Sequence, residues 1–185
     1  FDTEWLDFTK GDRRFQVVDA SSHEIIRQFD IGDKLEEAGL GHLSSAIRPM
    51  AHTPDGRFFY FQLSFLHGFV EFDMEKDAIT RLAELPNLIP DVPRSDYVND
   101  SAHHGIAMNA DGDTLCLGGT MRDYVAIVDR ETFEHTLLTD LGKKPYWVTT
   151  NSRGDRCYIS WSETDQMSVI DIETASELAR VDVGN

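Results

Sequence analysis

The sequence predicts an all-β protein that repeats a four-stranded antiparallel unit. One marker of the repeat is a β-branched or aromatic segment that closes with aspartate; it recurs at spacings of 54, 56 and 42 residues and ends at Asp19, Asp73, Asp129 and Asp171. A second marker is a polar turn with glycine, which recurs at spacings of 56 and 42 residues at Gly56, Gly112 and Gly154. Two independent markers in one register predict a β-propeller of about four blades.

The repeat divides the chain into a partial first blade and three complete blades, at residues 4–31, 46–85, 103–141 and 145–183. The four strands of the last blade are expected at residues 146–150, 156–160, 167–171 and 177–183. Residues 5–8 align with a second strand, so the first blade is expected to lack its innermost strand. Because an incomplete ring leaves apolar faces uncovered, we expect the rest of a seven- or eight-bladed ring, or a second copy of the chain, to close it.

The turns have the chemistry that such hairpins need. Asp-Gly, or Arg-Gly at Arg153-Gly154, supplies the residue with positive φ in a tight turn. The aspartate that ends each third strand can accept hydrogen bonds from the backbone of the turn that it opens. Both features predict short hairpins between successive strands.

Two insertions, residues 33–45 and 86–102, lengthen the connections between successive blades. The first contains a predicted helical turn at residues 34–38, and the second is rich in proline and aspartate and is expected to be irregular. In a propeller these connections share one face with the turns between second and third strands. Ligand-binding residues concentrate in such loops, so this face is the candidate functional surface.

Three residues, Arg48, His104 and Tyr146, are predicted to lie at the mouth of the central channel. Each precedes the glycine of the following turn by eight residues. Equal offsets in equivalent blades are expected to place the three side chains at one depth along the channel. Because side chains alternate along a strand, the three are also expected to point to the same side of their blades.

Turns on the same face, and neighbours of the three residues, add further candidates: His67, His103, Arg122, Trp147 and Trp161. Cationic, imidazole and aromatic groups in an acidic protein favour a small anionic or aromatic ligand, or another protein. Arg48 is the expected charged contact, because guanidinium binds carboxylate or phosphate through two parallel hydrogen bonds. The alternative is that these polar groups only bind water in the channel.

The histidine pair His103-His104 does not predict a metal centre. Neighbouring residues on a strand point to opposite faces, so the two imidazoles cannot chelate one ion in the usual way. No metal and no cofactor is therefore expected.

The two cysteines, Cys116 and Cys157, fall on the second strands of adjacent predicted blades and could face one seam. Stacked sheets lie ~10 Å apart, whereas a disulfide needs Cα atoms within ~7 Å. Two buried free thiols are therefore predicted.

The charge of the chain excludes several classes of partner. The 17 basic and 33 acidic residues give a formal net charge of -16, which repels the phosphates of nucleic acids and anionic membrane surfaces. No apolar segment approaches the ~20 residues that cross a bilayer, so no membrane insertion is expected.

Several segments carry a resemblance to a known family. Residues 53–57 (TPDGR), 142–148 (GKKPYWV) and 168–174 (SVIDIET) resemble the YVTN-type propeller repeat of bacteria, which is related to surface-layer-type and amine dehydrogenase heavy-subunit-like propellers. The resemblance implies an extracytoplasmic protein, periplasmic or secreted, although no signal peptide is visible in the chain. Two features depart from the family pattern: Arg153 replaces the turn aspartate, and the first two repeats are long.

Two functions are consistent with this resemblance. The first is a non-enzymatic binding module, which predicts a shallow, open site. The second is an enzyme or enzyme subunit with its site at the channel mouth, either a lactonase-like hydrolase or an amine dehydrogenase-type propeller subunit. A lactonase-like site predicts that Arg48, His104 and a carboxylate converge in one pocket. The fold alone does not separate the two functions.

Overall fold

A computed structural model describes residues 14–184 of the chain. Its strands form one two-stranded and three four-stranded antiparallel sheets. Within the described residues, blade 1 has β1 (Arg14–Val18) and β2 (Ile25–Asp30). Blade 2 has β3 (Ile47–His52), β4 (Phe58–Leu63), β5 (Gly68–Asp73) and β6 (Ala78–Glu84). Blade 3 has β7 (Ile106–Met108), β8 (Thr114–Gly119), β9 (Tyr124–Asp129) and β10 (His135–Leu138). Blade 4 has β11 (Pro145–Thr150), β12 (Arg156–Trp161), β13 (Gln166–Asp171) and β14 (Ser176–Asp182).

The four-stranded antiparallel blades confirm the predicted fold class. Within each complete sheet the strands pair in chain order, and the third strands end at Asp73, Asp129 and Asp171 as predicted. The predicted strand at residues 5–8 lies outside the described part of the chain. Between residues 14 and 184 there is no helix long and apolar enough to cross a membrane.

A short helix, α1 (Ile31–Glu37), begins just before the first insertion and ends within it. It begins earlier than predicted because the Asp30 carboxylate accepts a hydrogen bond from the backbone N–H of Asp33 and caps the first turn. Ile31 and Leu35 lie one turn apart on the buried face of the helix. The helix therefore packs the insertion against blades 1 and 2.

Aspartates close the third strands by the predicted hydrogen bonds. The Asp129 carboxylate accepts from the backbone N–H of Thr132 at 2.8 Å, and Asp171 accepts from that of Thr174 at 2.9 Å. These bonds lower the pKa of both carboxyl groups, so the charged form holds each turn.

The turn glycines also join one blade to the next. Gly112 and Gly154 have φ of +75° and +74°, a region that disfavours a side chain. A Cβ on Gly154 would lie 2.3 Å from the backbone nitrogen of Ala110, and one on Gly112 would lie 2.6 Å from Cδ of Pro54. Each turn therefore packs directly on the turn of the preceding blade.

The hydrophobic core lies in the seams between blades. Blades 2 and 3 share a cluster that includes Tyr60, Phe69, Leu115, Leu117 and Tyr124, all fully buried. The other two seams are built in the same way from aromatic and aliphatic side chains on facing strands. Burial of these faces against each other is the main stabilising term of the fold.

The prediction of two free thiols is wrong, because Cys116 and Cys157 form a disulfide with Cα atoms 6.6 Å apart. The spacing of ~10 Å between stacked sheets does not apply to this seam. A Cβ on Gly105 would lie 2.8 Å from the carbonyl oxygen of Tyr146, and one on Gly118 would lie 3.2 Å from that of Pro145. Glycines thus let the inner strand of blade 4 approach the first two strands of blade 3 closely enough for the bond.

The disulfide is expected to stabilise the protein by about 4 kcal/mol in the chain-entropy account, because it closes a loop with a sequence separation of 41 residues. The double variant Cys116→Ala/Cys157→Ala should lose about this much free energy of unfolding in urea, and dithiothreitol should destabilise only the wild-type protein. Thiol titration of the unfolded, unreduced chain should detect no free thiol; two titratable thiols would contradict the assignment.

Candidate functional site

The inner strands of blades 2 and 4 are irregular at equivalent positions. Pairing of β3 with β4 shifts register between Ile47 and Met50, and pairing of β11 with β12 shifts between Pro145 and Trp147. Arg48 and Tyr146 lie in the shifted stretches. Such bulges re-aim side chains and are common next to binding sites.

His104 occupies the same position in blade 3, two residues before β7 begins. Its imidazole stacks on the Tyr146 ring with centroids 3.9 Å apart and planes 14° from parallel. Its Nδ1 lies 2.9 Å from the carbonyl oxygen of Tyr146. Arg48 and His104 line the same groove. The structure therefore brings together the three residues with equal turn offsets, and we call them the axial row after the predicted channel axis.

The second insertion contacts both ends of the axial row. Asn99 donates from Nδ2 to the Tyr146 hydroxyl at 2.7 Å, and the Asp100 carboxylate accepts from the Arg48 guanidinium at 3.2 Å. Asn99 and Asp100 have φ of +47° and +59°, in the left-handed region that Asn and Asp tolerate best among side-chain-bearing residues. These two contacts were not predicted from the sequence. The available signal was the adjacent pair Asn99 and Asp100, two residue types that favour a left-handed turn, and we call this turn the corner.

The groove beside the axial row, which we call the axial groove, has a volume of about 500 Å³. Its lining residues are mainly apolar, and they are Ile47, Arg48, Pro49, Met50, His104, Gly105, Ile106, Trp147 and Val148. Trp147 is 62% exposed, and its indole stands nearly perpendicular to the His104 ring, with centroids 5.0 Å apart. The groove therefore combines an open aromatic surface with one imidazole and one guanidinium.

The environment of His104 sets its protonation state. Burial lowers the pKa of the imidazole, and the nearby Arg48 charge lowers it further, against an opposing effect of the Tyr146 carbonyl. The ring is thus neutral near pH 7. Because a carbonyl only accepts hydrogen bonds, Nδ1 carries the proton, and Nε2 presents a lone pair.

His67 and His103 are buried in the seam between blades 2 and 3. His103 Nε2 is hydrogen-bonded to the Tyr124 hydroxyl at 2.6 Å, and His67 Nε2 to that of Tyr97 at 2.9 Å. Burial lowers the pKa of His103 to about 3, so the ring is neutral. Neither histidine lines the axial groove.

The remaining candidates are divided between core and surface. Trp161 is 1% exposed and donates from its indole to the Ser168 hydroxyl, so it belongs to the core of blade 4. Arg122 is exposed at the end of a 3-10 turn and does not line the groove. Of the eight candidates, the groove brings together Arg48, His104 and Trp147, with Tyr146 stacked behind His104.

A larger groove, of about 660 Å³, lies on the opposite face between blades 3 and 4. Two of its acidic lining residues have structural roles: Asp129 holds its turn through Thr132, and Asp155 accepts a hydrogen bond from the Asn151 amide. Within residues 14–184 no cluster of three or more His, Cys, Asp or Glu residues could hold a metal ion.

The chain matches no protein-family model and no curated protein. Among solved structures it is similar to hydrazine synthase from Kuenenia stuttgartiensis, with a TM-score of 0.63 and 16% identity. The similarity covers 91% of this chain and 42% of that one, so the chain spans less than half of the structure that it matches. At this identity the likeness supports the propeller fold alone.

The buried neutral His103 is expected to make stability fall at acid pH. Its pKa is about 3 in the folded protein and near 6.5 when unfolded, so between these values only the unfolded chain binds the proton. Stability should therefore fall as pH decreases from about 6.5 to 3, by up to about 1.4 kcal/mol per pH unit from this group. Urea unfolding between pH 6.5 and 4.5 should give a shallower dependence for His103→Phe. The exposed-site control His135→Gln should follow the wild type, and identical slopes for His103→Phe and wild type would contradict the assignment.

Proposed function

We propose that the protein is a non-enzymatic binding module of the YVTN propeller type, which holds a small ligand or a protein segment in the axial groove. The observation that carries this proposal is the composition of the lining. Among the described residues of the groove, His104 is the one group that can exchange a proton near neutral pH, and none is a carboxylate, hydroxyl or thiol.

This lining favours binding over catalysis for a chemical reason. General acid–base or nucleophilic catalysis needs a base in reach of a second proton donor, acceptor or nucleophile. His104 instead has its Nδ1 bonded to a backbone carbonyl, which orients the ring, and burial keeps the pKa of the imidazole below its usual value. Apolar and aromatic surface with few polar groups is typical of ligand pockets.

One observation favours the alternative, an enzyme or enzyme subunit of the same architecture. Arg48 contacts the Asp100 carboxylate and shares the groove with His104, which approaches the arrangement expected of a lactonase-like hydrolase. Asp100, however, is buried and does not line the groove, so it is not placed to act on a bound lactone.

The disulfide supports an extracytoplasmic location for this module. Disulfides persist in oxidising compartments such as the periplasm and the cell exterior, and they are rare in reducing cytosol. Cys116 and Cys157 are both buried, so the bond has the character of a structural cross-link.

We further propose that another four-stranded blade covers the outer face of blade 4. Tyr158 lies four residues after its turn glycine, at the position that Tyr60 holds in blade 2. Tyr60 is completely buried, because blade 3 covers that face of blade 2. On blade 4 the corresponding face is open: Tyr158 and Met167 are half-buried, and Val181 is 47% exposed. A second copy of the chain closing the ring is the alternative occupant.

The open face is expected to make the isolated chain self-associate, because apolar positions that neighbouring blades bury are in contact with water. Val181→Asp should shift the chain towards monomer in light-scattering measurements. Leu88→Asp, which charges a 44% exposed side chain in the second insertion, is the matched control and should change nothing. A wild-type monomer that is stable at all concentrations would count against the proposal.

The groove is expected to bind small ring compounds without transforming them. Titration with phenol and benzoate should shift the backbone amide resonances of Gly105, Ile106 and Val148, while those of Gly154 on the opposite face stay constant. Hydrolysis of gluconolactone should proceed at the same rate with and without the protein. Acceleration that disappears in His104→Phe would establish the enzymatic alternative instead.

A further inference from the structure

The electrostatics of the axial groove restrict the ligands that it can accept. The Arg48 guanidinium, its one lining cation, already donates to the Asp100 carboxylate at 3.2 Å and to the Ser64 hydroxyl at 2.8 Å. Asp100 is buried, so its charge opposes that of Arg48 with little screening by water. The chain as a whole carries a formal charge of -16, which disfavours the approach of an anion.

Among the lining side chains, His104 supplies the one nitrogen that can accept a hydrogen bond. Its ring is fixed on two sides, by stacking on Tyr146 and by the bond from Nδ1 to the Tyr146 carbonyl. Nε2 is therefore held in one direction as a hydrogen-bond acceptor. A ligand that satisfies this atom has to donate a hydrogen bond.

The rest of the lining matches a flat apolar body. Trp147 presents a largely exposed indole beside His104, and Ile47, Pro49 and Ile106 add aliphatic surface. Aromatic rings pack on such surfaces in offset or edge-to-face geometry and gain more than their buried area alone provides. A groove of about 500 Å³ has room for one or two fused rings.

Resting on the proposed function, we infer that the axial groove selects neutral aromatic ligands that carry a hydrogen-bond donor, such as phenols or indoles, in preference to anions. The donor contacts His104 Nε2, and the ring packs beside Trp147. Arg48 acts as a positioning residue that ties the second insertion to the groove.

Three matched probes test the inference in the same amide-resonance titration: phenol, anisole and benzoate. Phenol and anisole have similar rings, but anisole lacks the donor, and benzoate carries a negative charge. We expect phenol to bind about tenfold more tightly than anisole, the worth of one neutral hydrogen bond. Benzoate is expected to bind more weakly than phenol.

Two variants distinguish the hydrogen bond to His104 from the packing beside Trp147. His104→Phe keeps a ring that can stack on Tyr146 and removes the acceptor, so it should weaken phenol about tenfold and leave anisole within about twofold. Trp147→Ala should weaken phenol and anisole by the same factor. His135→Gln, a surface histidine outside the groove, should match the wild type.

The inference and the proposed function fail in different ways. Equal affinities for phenol and anisole, or tighter binding of benzoate that is lost in Arg48→Gln, would overturn the inference and leave a binding groove. If none of the three probes shifts the groove amides at millimolar concentration, the proposed function fails together with the inference.

Discussion

Close contact between successive blades is the constraint on which the rest of this structure depends. A single four-stranded sheet has two apolar faces and cannot bury either of them alone, so each blade is stable only against its neighbours. Glycines make the contact close: Gly105 and Gly118 let the inner strand of blade 4 pack on blade 3, and the turn glycines let each turn pack on that of the preceding blade. The seams then position the inner strands, and the inner strands position the axial row.

The candidate site uses the part of each blade that the seams leave free. The bulged inner strands turn Arg48 and Tyr146 out of the regular ladder, and His104 precedes its strand. The second insertion then supplies partners for the outer two residues. The result is a groove whose aliphatic surface comes mainly from the strands and whose Arg48 and His104 side chains are both oriented by hydrogen bonds to neighbours.

Much of the fold was predictable because its determinants are local and repeat. The turn glycines and the closing aspartates predicted the strand order and gave Arg48, His104 and Tyr146 equal offsets from their turns, and the structure brings these three residues together. The disulfide was not predictable from average sheet spacing, since that spacing depends on which small residues face each other across a seam. The partners of the axial row come from an insertion without a repeat. The burial of Trp161 was missed because strand register alone does not tell which face of a blade its neighbour covers.

The corner formed by Asn99 and Asp100 has a mechanical consequence. Because the two residues are adjacent and hold Tyr146 and Arg48 respectively, the backbone cannot move one contact without moving the other. Both residues have left-handed backbone conformations, which cost free energy and persist only while surrounding contacts maintain them. Blades 2 and 4, which do not adjoin each other in chain order, are thus linked through one dipeptide of the second insertion.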